Sequence, residues 1–232
     1  MKAPETHDTR RDVPARQLLV WDLPTRLFHW LLVILVSTSF VTAGFGVNAM
    51  QYHQWCGLAI LTLLLFRLAW GVVGSRESRF TTFVKGPTAV VRYAAHLMRP
   101  GAPQYPGHNP LGGWSIMAML LSLFIQVGTG LFANDDIFTE GPLYAWVSKE
   151  TSDWLTRVHK LNQDVLILLV SVHVLAVLFY LFFKRENLIT PMITGIKRWP
   201  GTDAGDGDAR SRTWVAALIT ALAACAVYLL VR

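Results

Sequence analysis

Residues 157–183 read RVHKLNQDVLILLVSVHVLAVLFYLFF. No residue from Val165 to Phe183 is charged. A helix needs about 20 mostly apolar residues to cross a bilayer, and this run has that length. It carries His173, and His159 stands fourteen positions before it. At 3.6 residues per turn, fourteen steps leave a drift of roughly 40°, so the two imidazoles share a helix face about 21 Å apart along the axis. An ionisable side chain at membrane depth is costly and is a functional candidate by default.

Four further runs have the same character. Leu27 to Phe45, Leu111 to Asn134 and Thr213 to Val231 are charge-free, and His53 to Val73 is interrupted only by Arg67. The whole chain of 232 residues is 53% hydrophobic and only 16% charged, with a mean hydropathy of +0.38. Soluble domains average about 25% charged residues. This excludes a disordered chain, which needs low hydrophobicity, and argues against an ordinary soluble enzyme. The net charge of +6 would suit a nucleic-acid binder, but such a domain is not this apolar. The expected fold is an all-α integral membrane protein. A cytoplasmic tail (1–20) precedes a four-helix transmembrane bundle (21–200) with spans near 27–45, 53–73, 111–134 and 157–183. A linker containing GTDAGDGD (201–211) leads to a fifth transmembrane helix (212–232).

The charges set an orientation. Of 21 basic residues, 16 fall on one side. They are Lys2, Arg10, Arg11, Arg16 and Arg26 in the tail; Arg76, Arg79, Lys85, Arg92 and Arg99 after span two; and Lys184, Arg185, Lys197, Arg198, Arg210 and Arg212 after span four. The opposite side has an acidic loop with Asp135, Asp136, Glu140, Glu150 and Asp153. Positive-inside bias places the N-terminus in the cytoplasm and the C-terminus in the periplasm. The acidic loop reads either as plain asymmetry or as a steering surface for a basic partner.

Seven histidines divide by height. His7, His96 and His108 read as solvated loop residues. His29, His53, His159 and His173 lie in or at the ends of spans. His29 is level with His173 near the cytoplasmic side, and His53 is level with His159 near the periplasmic side. Each level thus offers two imidazoles. Zinc wants three or four protein ligands, whereas a six-coordinate haem needs two axial nitrogens, and helical bundles house such cofactors. Histidines bonded to polar groups on neighbouring helices are the bland reading. Arg67 follows His53 by fourteen residues, which puts it at the height of the His29–His173 pair. There it either pairs with a haem propionate or snorkels to the headgroups. Gly112, Gly113, Gly128 and Gly130, near the two ends of span three, either leave room for flat macrocycles or serve close helix packing. The tryptophans read mostly as interfacial belts, and Cys56 and Cys225 as unpaired small residues.

The segment Val20-Trp21-Asp22-Leu23-Pro24-Thr25-Arg26-Leu27-Phe28-His29-Trp30 resembles the opening of the bacterial cytochrome b561 family, which includes the b-type subunits of nickel-iron hydrogenases. Similar matches are His53-Gln54-Trp55-Cys56-Gly57, the run Arg67 to Ser75, Gly107-His108-Asn109-Pro110-Leu111-Gly112-Gly113-Trp114-Ser115, and Val158-His159-Lys160 with His173. The resemblance covers roughly residues 18 to 200. It implies an inner-membrane cytochrome with two b haems, whose axial ligands map onto His29, His53, His159 and His173. Such proteins exchange electrons between the quinone pool and a periplasmic partner, a c-type cytochrome or a hydrogenase; some oxidise superoxide. The fifth span departs from the four-helix pattern. It carries no histidine and reads as a peripheral helix that anchors or docks a partner. A non-redox transporter or assembly factor, with histidines that are structural or relay protons, is the alternative function class. A metal-ion binding protein is the third.

Overall fold

The computed structural model describes residues 16–45, 47–98, 104–199 and 212–232. His7 and the linker read over 201–211 lie outside the described residues. Five helices are long and apolar enough to cross a membrane: α1 (Leu23–Ala43), α2 (Val47–Val73), α5 (Pro110–Gly130), α6 (Lys149–Phe182) and α8 (Thr213–Val231). Short elements join them: α3 (Phe80–Phe83) and α4 (Pro87–His96) between α2 and α5, and α7 (Ile189–Thr194) after α6. Two strands, β1 (Arg16–Leu19) and β2 (Ile196–Trp199), form an antiparallel ribbon with Arg16 opposite Trp199.

The helix ends follow local chemistry. Asp22 caps α1 by accepting the Thr25 N–H at 2.7 Å, and Pro24 sits in the first turn. This starts the helix at Leu23, four residues before the charge-free run. Asn109 caps α5 through the Gly112 N–H at 2.8 Å, with Pro110 next. Proline suits that place because the first N–H groups of a helix lack intrahelical partners. Ser148 caps α6, so its 34 residues begin well before the apolar run. At 1.5 Å per residue α6 spans about 51 Å, so its first turns project beyond a hydrocarbon core of about 30 Å.

Helix α2 is the hub. Ile60, Leu64, Phe66 and Trp70 of α2 pack with Phe28 of α1, Leu120, Leu123 and Val127 of α5, Leu166 of α6 and Ala216 of α8. Helix α8 lies along α2, burying Ala216, Ala223 and Val227. Small residues at such spacing let backbones approach closely where lipid supplies no hydrophobic drive between helices. The fifth span therefore packs on the bundle as well as flanking it. Large apolar residues such as Ile34, Leu121, Leu168 and Leu229 remain exposed. In a bilayer those faces meet acyl chains, not water.

At one end of the bundle, Asp22 is 1% exposed. Besides its cap, its Oδ2 accepts from Trp70 Nε1 at 3.0 Å and Ser78 Oγ at 3.1 Å. Burial raises the Asp22 carboxyl, but donors from the Ser75–Ser78 turn, Thr25 and Trp70 outweigh it and hold the group below its ordinary value. Trp21 and Trp70 are thus buried structural residues, not members of an interfacial belt. Nearby, Gly195 adopts a left-handed φ of 85° and accepts the Val20 N–H at 2.8 Å. A Cβ there would sit 2.7 Å from the Trp21 carbonyl, so only glycine lets the chain close onto β1. Arg26 Nη1 and Trp30 Nε1 donate to the Ile193 and Met192 carbonyls of α7. The opening motif of the chain is, structurally, the clamp of this end.

Candidate functional site

The two histidine levels lie at opposite ends of the bundle. At one, His53 of α2 faces His159 of α6, with ring centroids 6.2 Å apart and planes at 77°. His53 Nδ1 lies 2.9 Å from the Ser39 carbonyl, and His159 Nδ1 lies 2.8 Å from the Gln126 carbonyl. A carbonyl only accepts, so each Nδ1 carries the proton and each Nε2 keeps its lone pair. That is the tautomer a metal-binding imidazole needs, fixed from behind by a backbone acceptor. The two acceptors are equivalent. Ser39 stands four residues before the end of α1, and Gln126 four before the end of α5. Final-turn carbonyls of a helix carry its negative dipole end, which suits an N–H donor.

A half-open cleft lies here, lined by Ser39, His53, Gly57, Gln126, Gly130 and His159 among others. A Cβ on Gly130 would come within 2.9 Å of His159 Cε1, while one on Gly57 would meet nothing within 4 Å. Gly130 thus lets the His159 ring lie against α5, and Gly57 leaves the cleft wall open. Two metal–imidazole bonds of about 2 Å, plus the ring half-width at each end, separate axial ring centres by roughly 6 Å. The observed separation fits a bis-histidine haem.

Sequence reading did not single out Gly57 or the polar ladder beneath the cleft. Asn162 of α6 donates to the Ser122 carbonyl at 2.9 Å and to Gln126 Oε1 at 2.7 Å, and accepts from Ser122 Oγ at 3.1 Å. Gln126 Nε2 is 3.1 Å from His159 Nε2. Asn162 was hidden because a single amide in a helix leaves no pattern.

At the other end His29 of α1 and His173 of α6 lie close enough to interact electrostatically, without ring contact. His29 Nδ1 is buried and unpartnered. Arg67 is 4% exposed, with its guanidinium 4.7 Å from the Phe80 ring and 5.8 Å from the Phe83 ring, and its Nη1 has no hydrogen-bond partner. The snorkelling alternative therefore fails: this arginine points into the protein.

His108 reverses its expected place. Instead of a solvated loop residue, it is wedged between Trp21 (4.6 Å) and Phe83 (5.0 Å), with Nδ1 buried and unpartnered. Burial, reinforced by Arg67, His173 and His29, pulls its imidazole down to about 3, so the ring is neutral. Gly112 and Gly113 also differ from the macrocycle reading. A Cβ on Gly113 would meet the Phe83 carbonyl at 2.6 Å, and one on Gly112 the capping Asn109 Oδ1 at 3.3 Å. They serve close packing.

Among the described residues no three His, Cys, Asp or Glu side chains cluster as a metal site. The histidines come as pairs, one at each end. The model of one family, prokaryotic cytochrome b561, matches residues 20–195. The chain belongs to the prokaryotic cytochrome b561 family. It is therefore a multi-pass b-type cytochrome, a haem-binding electron carrier of the membrane. Its relatives include proteins named "Probable Ni/Fe-hydrogenase B-type cytochrome subunit". The one from Bradyrhizobium diazoefficiens is 23% identical, over 82% of this chain and 89% of its own length. That of Azotobacter vinelandii is 26% identical, over 84% and 94%. A similarly named subunit of hydrogenase 1 from Escherichia coli is 25% identical, over 77% and 89%. No solved structure matches the chain.

On the acidic loop, the cytochrome spends most of its carboxylates internally. Asp135 accepts backbone N–H groups from Ile137, Phe138 and Thr139, which hold it well below the usual carboxylate range. Asp136 and Asp153 both pair with Lys149. Lys149 offsets one charge and the backbone donors keep Asp135 ionised, so the loop remains net acidic.

Proposed function

We propose that this cytochrome carries two haem b groups, one held by His53 and His159 and one by His29 and His173, and relays electrons across the bacterial inner membrane. The N-terminus lies in the cytoplasm and the C-terminus in the periplasm, on the positive-inside bias of the loops. The electrons pass between the quinone pool and a periplasmic partner, a hydrogenase or a c-type cytochrome. The names of the relatives favour the hydrogenase.

The observation that carries this reading is the facing of His53 and His159 across the cleft, each with Nδ1 tied to a carbonyl. Haem, when bound, supplies reversible one-electron chemistry at iron. The protein contributes the rest. Its backbone orients the ligands, and its apolar helices keep water from the interior. Helix α6 sets the two levels about 21 Å apart, because one rigid helix bears a ligand for each. Arg67 supplies a positive charge at the His29–His173 level.

The test is a reduced-minus-oxidised spectrum of purified protein with haem quantification. Two b-type haems per chain are expected, and quinol should reduce them. Protein without b-type absorption would overturn the reading.

A further inference from the structure

The Asp22 end holds four buried nitrogens without a partner: Arg26 Nε, His29 Nδ1, Arg67 Nη1 and His108 Nδ1. Buried polar groups are nearly always paired. Of these four, the arginine nitrogens can only donate and so lack an acceptor, and each imidazole Nδ1 joins them as a donor in its Nδ1–H tautomer. Two of them belong to side chains flanking one ring. Phe83 has the Arg67 guanidinium at 5.8 Å and the His108 ring at 5.0 Å.

The missing acceptor is an anion. Arg67 is a buried charge, and such a charge is costly unless paired. Asp22 is near enough to interact with it electrostatically. But the Asp22 oxygens are committed to Thr25, Trp70 and Ser78, and the two side chains form no ion pair. A neutral carbonyl would satisfy His108 and leave the guanidinium uncompensated. A carboxylate has two oxygens and one negative charge, enough for both donors.

We propose that His108 is a positioning residue for the haem held between His29 and His173, its Nδ1–H and the Arg67 Nη1 sharing one propionate carboxylate of that haem. The loop that presents it is built for a fixed ring. Trp21 closes one side and Phe83 the other. The next residue, Asn109, is locked as the cap of α5 and also donates to the Tyr180 hydroxyl at 2.9 Å.

The assignment rests on the two-haem reading, and the test separates them. The two haems are titrated potentiometrically in the wild type, His108→Leu, His108→Asn and Arg67→Leu. A redox-induced infrared difference spectrum is recorded with haem labelled in its propionate carboxyls. Loss of a donor leaves the carboxylate less neutralised and favours ferric iron. His108→Leu should therefore lower the reduced-to-oxidised ratio of one haem at fixed potential at least threefold and move one labelled carboxylate band. The other haem serves as the internal control. His108→Asn, which keeps a donor, should restore much of the shift, and Arg67→Leu should move the same band further. If His108→Leu does not assemble, His108→Phe, which keeps a ring between Trp21 and Phe83 but carries no donor, decides by the same potential and band.

Two haems whose potentials and carboxylate bands ignore position 108 would overturn the assignment and leave the two-haem reading standing. So would a change confined to quinol kinetics, which would place a quinone carbonyl there. A wild type lacking two b-type haems would defeat the earlier reading first.

Discussion

At the His53 end the protein completes its own hydrogen bonding. Both imidazoles line a cleft, and both Nδ1 protons go to carbonyls four residues from a helix end. At the Asp22 end the side chains are packed as tightly but left unfinished, with His29, Arg67 and His108 each holding a buried, unpartnered nitrogen. The two histidine pairs look alike in sequence, yet one is tied to backbone carbonyls and the other is not. A site organised by backbone should tolerate loss of nearby side chains. A site completed by its cofactor's own charge should not.

The largest expected effect tests whether the ends are independent. His53→Ala or His159→Ala should remove one haem and halve the b-type absorption, leaving the haem at the other end. His29→Ala or His173→Ala should do the converse. Loss of both haems from one variant would break the comparison.

Next in size is Asp22→Ala, which removes a helix cap and leaves Trp70 Nε1 and Ser78 Oγ without their acceptor. The expected loss is about 2–4 kcal/mol, measured by thermal unfolding in detergent. The haem at that end should be lost before the other. Because the folded Asp22 carboxyl lies below its ordinary value, its contribution is fully present above about pH 4 and disappears as pH falls through the folded value. A wild type whose stability stays flat on acidification while Asp22→Ala is destabilised would sink the electrostatic part of this account.

A smaller effect separates two neighbouring glycines. Gly130→Ala puts a methyl against His159 and should weaken haem retention at the His53 end several-fold. Gly128→Ala meets nothing within 4 Å and should be silent. Equal behaviour would show that the approach of His159 to α5 does not matter. The smallest effect is that of Ser39→Ala. It removes a hydroxyl 3.1 Å from His53 Nδ1 but keeps the carbonyl at 2.9 Å. The expected cost is below about 0.5 kcal/mol, read as an unchanged midpoint potential for that haem.

Much of this was legible in one dimension. Hydropathy located all five spans because lipid imposes a length and an exclusion of charge that sequence displays directly. The burial of Arg67 was half legible: spacing gave its height, but only the rings of Phe80 and Phe83 turn it inward. His108 was not legible as a buried group. A polar residue in a loop looks solvated until tertiary contacts, here Trp21 and Phe83, close over it. The available signal was its position just before Asn109-Pro110, a helix-start signature that fixes a loop tightly to the bundle. The β1–β2 ribbon was equally invisible, since four-residue strands carry almost no periodicity.

That ribbon has a consequence for biosynthesis. Residues 16–19 are made first among the described segments, yet their partners at 196–199 emerge only after α6 and α7. The N-terminal strand therefore stays unlatched while four helices enter the bilayer. The Gly195 carbonyl, the Arg26 contact to α7 and the ribbon can close only once α7 has been made. The Asp22 end is sealed last, after the fourth transmembrane helix is complete.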